Sequence, residues 1–74
     1  MSIHSNRLKT RVQVGRAVDG VTVYTTAFIG SVRGAAEFVM DHAQEPLRVD
    51  VLMCGQGWVE THGLLERMRR GEVL

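Results

Sequence analysis

Chemistry in a small chain begins with its thiols, imidazoles and carboxylates. This sequence holds one cysteine, Cys54, and three histidines, His4, His42 and His62. An imidazole that takes the proton of a thiol makes a nucleophile. Cys54 sits in Met53-Cys54-Gly55-Gln56-Gly57, which carries no nucleophile signature. A small thiol at the end of a strand reads as inert packing. Glu37 and Asp41 stand one helical turn apart, where two carboxylates can share acid–base work. They fall opposite the apolar stripe of their helix, so they read as a solvated face. The histidines and the cysteine show no CxxC, HxxxH or HExxH spacing. Gly55-Gln56-Gly57 lacks the third glycine and the long following helix of a phosphate-binding loop, and it reads as a turn. No catalytic, cofactor-binding or metal-ligating residue is assigned.

The basic and aromatic residues say more. The chain has eight arginines and one lysine. Arg7, Lys9 and Arg11 alternate along the outward face of a strand, and Arg67, Arg69 and Arg70 crowd the last helix. Such stripes neutralise phosphates, and nucleic-acid readers interleave aromatics to stack bases. Tyr24 is expected on that open face, near Gln13 and Arg11. Acids attend the terminal cluster at Glu60, Glu66 and Glu72. Arginine equally suits protein interfaces, through its bidentate donors and weak hydration. Phe38 lies off the apolar stripe of its helix, beside Gly34 and His42. Either the terminal helix covers it, or it forms with Gly34 a groove-and-knob surface for self-association or target binding. Trp58 is either a core anchor or an interface anchor. The candidate partner-binding residues are therefore Arg7, Lys9, Arg11, Tyr24, Gly34, Phe38, Trp58, Arg67, Arg69 and Arg70.

These side chains must be placed by a few short elements. Residues 1–6 are polar and aperiodic, a loose lead-in. Leu8, Thr10, Val12 and Val14 share one face of a strand that runs on to Val18. Val18-Asp19-Gly20-Val21 predicts a two-residue hairpin, because a type I′ turn needs positive φ at both central positions. The return strand is Val21 to Ile29, with Val18 opposite Val21, Arg16 opposite Val23 and Val14 opposite Thr25. That register puts Arg16 on the apolar face, so a bulge at Gly15-Arg16 is expected to turn it outward. Ser31 caps a helix over 32–43, with Val32, Ala36, Val39 and Ala43 as its stripe and Ala35 and Met40 on its flanks. Pro46 stops it. Leu47 to Cys54 is the next strand, residues 58–61 return as a fourth, and Thr61 or His62 to Arg70 forms the last helix. Gly71 ends that helix. The order is β-β-α-β-(β)-α. The fold class is α+β: a three- or four-stranded, mainly antiparallel sheet with the main helix on one face.

Composition bounds the rest. The sequence has 74 residues and a net charge of +1, with 45% hydrophobic and 23% charged residues. This is one globular domain over 1–74, with a small core. A drug-sized pocket takes about 300–1,000 Å³, more than so small a core encloses, so work is expected on the outer surface. A second subunit would add burial without disulfides or metal. The lone cysteine and the absence of an export signal point to a reducing cytoplasm, and no apolar run is long enough to cross a membrane.

The layout Val12-Gln13-Val14, Asp19-Gly20-Val21-Thr22-Val23, Gly34-Ala35-Ala36-Glu37-Phe38-Val39-Met40, Val49-Asp50-Val51-Leu52 and Gly57-Trp58-Val59 resembles the compact α+β proteins encoded by phages and mobile elements, the anti-CRISPR proteins among them. The resemblance covers most of the chain, in size and element order. It implies a stand-alone inhibitor that blocks a bacterial defence complex. Many members are acidic and this chain is not, so the implied block is the covering of an interface. The function expected is a non-enzymatic protein–protein interaction module. A small nucleic-acid-binding domain using the basic sheet face is the alternative, and a small enzyme or metal protein stands third.

Overall fold

The computed structural model describes residues 9–72, the side chain of His62 apart. The lead-in, His4 and Arg7 lie outside the described residues. The elements are β1 (Thr10–Val18), β2 (Val21–Gly30), α1 (Val32–Asp41), β3 (Leu47–Met53), β4 (Gly57–Glu60) and α2 (His62–Arg69). The fold is α+β, with one four-stranded antiparallel sheet in the order β2-β1-β3-β4.

Asp19 and Gly20 form the β1–β2 turn with φ of 51° and 80°. Positive φ at both positions is the type I′ geometry, whose twist matches that of the flanking strands. Val18 pairs with Val21, Arg16 with Val23 and Val14 with Thr25, as the Asp-Gly turn dictates. The bulge lies elsewhere than expected. Pairing shifts from Gln13↔Thr26 to Val12↔Phe28, so Ala27 is the extra residue, on β2 rather than at Gly15-Arg16. Arg16 needs no bulge, because it is exposed where it stands. Gly15 serves a close approach instead: a Cβ there would meet the Tyr24 ring at 2.9 Å and Pro46 at 3.1 Å. Its amide also donates to the Pro46 carbonyl at 2.8 Å.

Ser31 caps α1 by accepting from the Gly34 amide at 3.1 Å. The buried stripe is Val32, Ala35, Ala36 and Val39. Met40 is exposed, and the helix ends at Asp41, so Ala43 falls outside it, also exposed. The His42 amide closes the end by donating to the carbonyls of Phe38 and Val39. Small alanines let α1 lie close on the sheet, against Val12, Leu47 and Val49. Met68 of α2 completes that core, fully buried. Thr10 is buried beside them, and its hydroxyl has no hydrogen-bond partner among the described residues.

Candidate functional site: the open sheet face and the projecting hairpin

Strand alternation sends Val12, Leu47 and Val49 to the helices and Arg11, Arg48 and Asp50 to the opposite, uncovered face. The register sets Arg11 across from Asp50, and Asp50 across from Glu60. Arg11 Nε donates to Asp50 Oδ2 at 2.9 Å, and Nη2 donates to the same oxygen. Asp50 is 2% exposed, although it lies on the uncovered face. The Arg11 guanidinium also lies 4.7 Å from the centroid of the Trp58 ring. An indole face attracts a cation through its quadrupole. One carboxylate and one indole thus fix the Arg11 guanidinium from two directions.

A second arginine is held the same way. Arg48 Nε donates to Glu60 Oε2 at 3.0 Å, and its guanidinium lies 5.1 Å from the Tyr24 ring centroid. Tyr24 and Arg48 belong to strands with β1 between them. They meet because Gly15, opposite Tyr24, has no side chain to lift the ring off the sheet. Tyr24 is thus placed on the open face, over Gly15 and beside Arg48, which pairs across from Gln13.

The other candidates separate. Lys9 is exposed just before β1. The three arginines of α2 and its C-cap do not converge on one another. Arg67 helps line an apolar hollow of about 640 Å³ with Val51, Met53, Val59 and Leu64, Arg69 Nη2 reaches the Glu45 carbonyl at 3.4 Å, and Arg70 Nε donates to Glu72 at 2.6 Å. That hydrogen bond, with the nearby negative charge of Glu72, raises the Arg70 guanidinium above its ordinary pKa. The groove expected at Gly34 is occupied by Phe28: a Cβ on Gly34 would stand 2.7 Å from the Phe28 ring. Phe38 stacks on Phe28 at 6.0 Å and on His42 at 4.0 Å between ring centroids. It packs against the core from β2 and its own helix, half-buried. The His42 ring is oriented by a 2.9 Å hydrogen bond between Nδ1 and the Phe38 carbonyl.

Sequence reasoning passed over the outer half of the hairpin. β3 pairs with β1 only from Thr10 to Val14, whereas β1 and β2 pair on to Val18 and Val21. Past Gly15 the hairpin is therefore a two-stranded ribbon, and the longest dimension of the molecule reaches 48 Å. Val18, Val21 and Val23 are 47%, 62% and 44% exposed. With Arg16 and Thr25, Val18 and Val23 line a shallow hollow on the ribbon. The signal was present in the sequence: an Asp-Gly tip turns back in water, and it is flanked here by β-branched apolar residues.

Cys54 is exposed in the β3–β4 turn, a free thiol. Among the described residues, no group of three or more His, Cys, Asp or Glu is placed to hold a metal ion, and no helix is long and apolar enough to cross a membrane. No family model matches the sequence, no curated protein is similar to it, and no solved structure matches its fold.

Proposed function

We propose that this chain is a non-enzymatic protein–protein interaction module whose binding element is the projecting β1–β2 hairpin. One observation carries the reading: three valines stand exposed on a ribbon that no helix among the described residues covers. Clustered exposed apolar side chains mark interaction surfaces. The state of the arginines on the open face supports it too. Arg11 and Arg48 are engaged by Asp50 and Glu60 of the same sheet. A cation held by its own carboxylate releases few counterions from a phosphate backbone, which weakens the nucleic-acid reading. The narrower reading is a cytoplasmic inhibitor that covers an interface of a bacterial defence complex. It rests on likeness to anti-CRISPR proteins in size and element order.

The test compares the wild type with Val21→Ser/Val23→Ser, each immobilised and exposed to a bacterial lysate. The variant melts within about 0.5 kcal/mol of wild type, as expected for surface positions. A protein retained by the wild type and lost by the variant supports the module. Equal retention by both sinks the hairpin as the binding element. Labelled DNA and RNA at about 50 mM salt should show no binding; affinity that falls steeply with salt would favour the nucleic-acid alternative.

A further inference from the structure

The two edges of the sheet are guarded very differently. β4 is four residues long and ends at Glu60. β2 is ten residues long, Val-Thr-Val-Tyr-Thr-Thr-Ala-Phe-Ile-Gly, with no charged residue and no proline. Edge strands are ordinarily blunted by charge, proline, shortness or a bulge, because their unpaired amides and carbonyls template another strand. The bulge at Ala27 leaves residues 21–26 regular.

The hairpin geometry fixes which groups face outward. In a two-residue hairpin the residues flanking the turn form a hydrogen-bonded pair, and such pairs alternate with non-bonded ones. Val21, Val23 and Thr25 therefore bond to β1, while Thr22, Tyr24 and Thr26 turn their amides and carbonyls away from it. The Tyr24 side chain does not obstruct that edge, because its ring lies back over Gly15.

Resting on the reading of the hairpin as the binding element, we infer that its partner is a second copy of this chain. The two β2 edges pair antiparallel about a two-fold axis at Tyr24 and join two four-stranded sheets. Such an interface is isologous: each copy offers the same patch. Tyr24 faces its own counterpart, Thr22 faces Thr26, and Val23 faces Thr25. Three outward residues on each strand give about six hydrogen bonds between chains. No position meets a like charge, because the strand carries none. The register also finds cover for the valines. Val21 and Val23 lie on the helix side of their sheet and run past Thr25 and Ala27 of the other copy. On that side, Phe28, Phe38 and His42 form a half-buried stack along the β2 edge. The apolar tip of one chain thus meets the aromatic flank of the other.

Sedimentation across a concentration series tests this, with a mass twice 8.2 kDa expected. Thr22→Lys/Thr26→Lys sets like charges opposite one another at both flanking pairs and should weaken the dimer at least about 100-fold. Thr22→Glu/Thr26→Glu should do the same. Mixing the two variants should restore a heterodimer, which a folding defect would not allow. Should either double variant fail to fold by circular dichroism, Thr22→Pro removes one outward donor and leaves the β1 ladder intact. It too should dissociate the dimer. A wild type that stays monomeric to about 1 mM overturns the inference, as does a dimer indifferent to all of these changes. A monomer that still retains a different protein through Val21 and Val23 would sink self-pairing and keep the hairpin reading. A β2-dependent dimer that retains nothing else would do the reverse for a foreign partner.

Discussion

The inner and outer halves of the β1–β2 hairpin both set valines on the side of the sheet that faces α1, and those valines end in opposite environments. In the inner half Val12 is fully buried beneath α1. In the outer half Val18, Val21 and Val23 stand in solvent. What lies over the two halves differs. β3 stops pairing at Val14, and α1 ends at Asp41, so neither continues along the ribbon. Alternation alone marks a face that can be buried; neighbouring elements decide whether it is. An apolar face left over in so small a protein is a surface, not a core.

The contrast can be broken at its strongest point first. Val12→Ala should cost about 2–3 kcal/mol in urea unfolding, lost transfer energy plus a cavity, against less than about 0.5 kcal/mol for Val21→Ala. Equal costs would mean that the ribbon is packed in solution. Next in size is the turn that launches the ribbon. Gly20→Val forces a β-branched residue to φ near +80° and should cost about 1–2 kcal/mol. An added Cβ meets nothing within 4 Å beyond its chain neighbours, so that loss is one of backbone strain. Near-wild-type melting would show a turn that relaxes without harm to the pairing. The smallest effect has the opposite sign. Thr10→Val keeps the shape at a fully buried site and removes a hydroxyl with no partner among the described residues. It should raise stability by about 1 kcal/mol in the same urea titration. A loss would mean that the hydroxyl is hydrogen-bonded in solution.

Much of the framework was legible because its signals are local. Asp19-Gly20 fixed the hairpin and its register, Ser31 the start of α1, and the two glycines around Gln56 the return into β4. The bulge was misplaced because Gly15 offered a plausible site. The better clue was a break in period: Val21 and Val23 are odd-numbered, whereas the residue that packs on α1 is Phe28. The site was far less legible. Asp50 meets Arg11 across 39 residues, and Tyr24 meets Arg48 across an intervening strand. Neither contact has a spacing that a linear reading detects. Asp50 between Val49 and Val51 was the one visible hint, since a carboxylate within an apolar strand requires a partner. Phe38 was recognised as out of place on its helix, but its cover comes from Phe28 rather than from α2.

Trp58 stacks beneath a guanidinium that is itself fastened to a shielded carboxylate. Because it is the sole indole in the chain, near-ultraviolet excitation above the phenol band reads the anchored end of the sheet. The distal ribbon is silent at that wavelength. A titration followed by this intrinsic emission would therefore register melting of the body and remain blind to events at the hairpin tip.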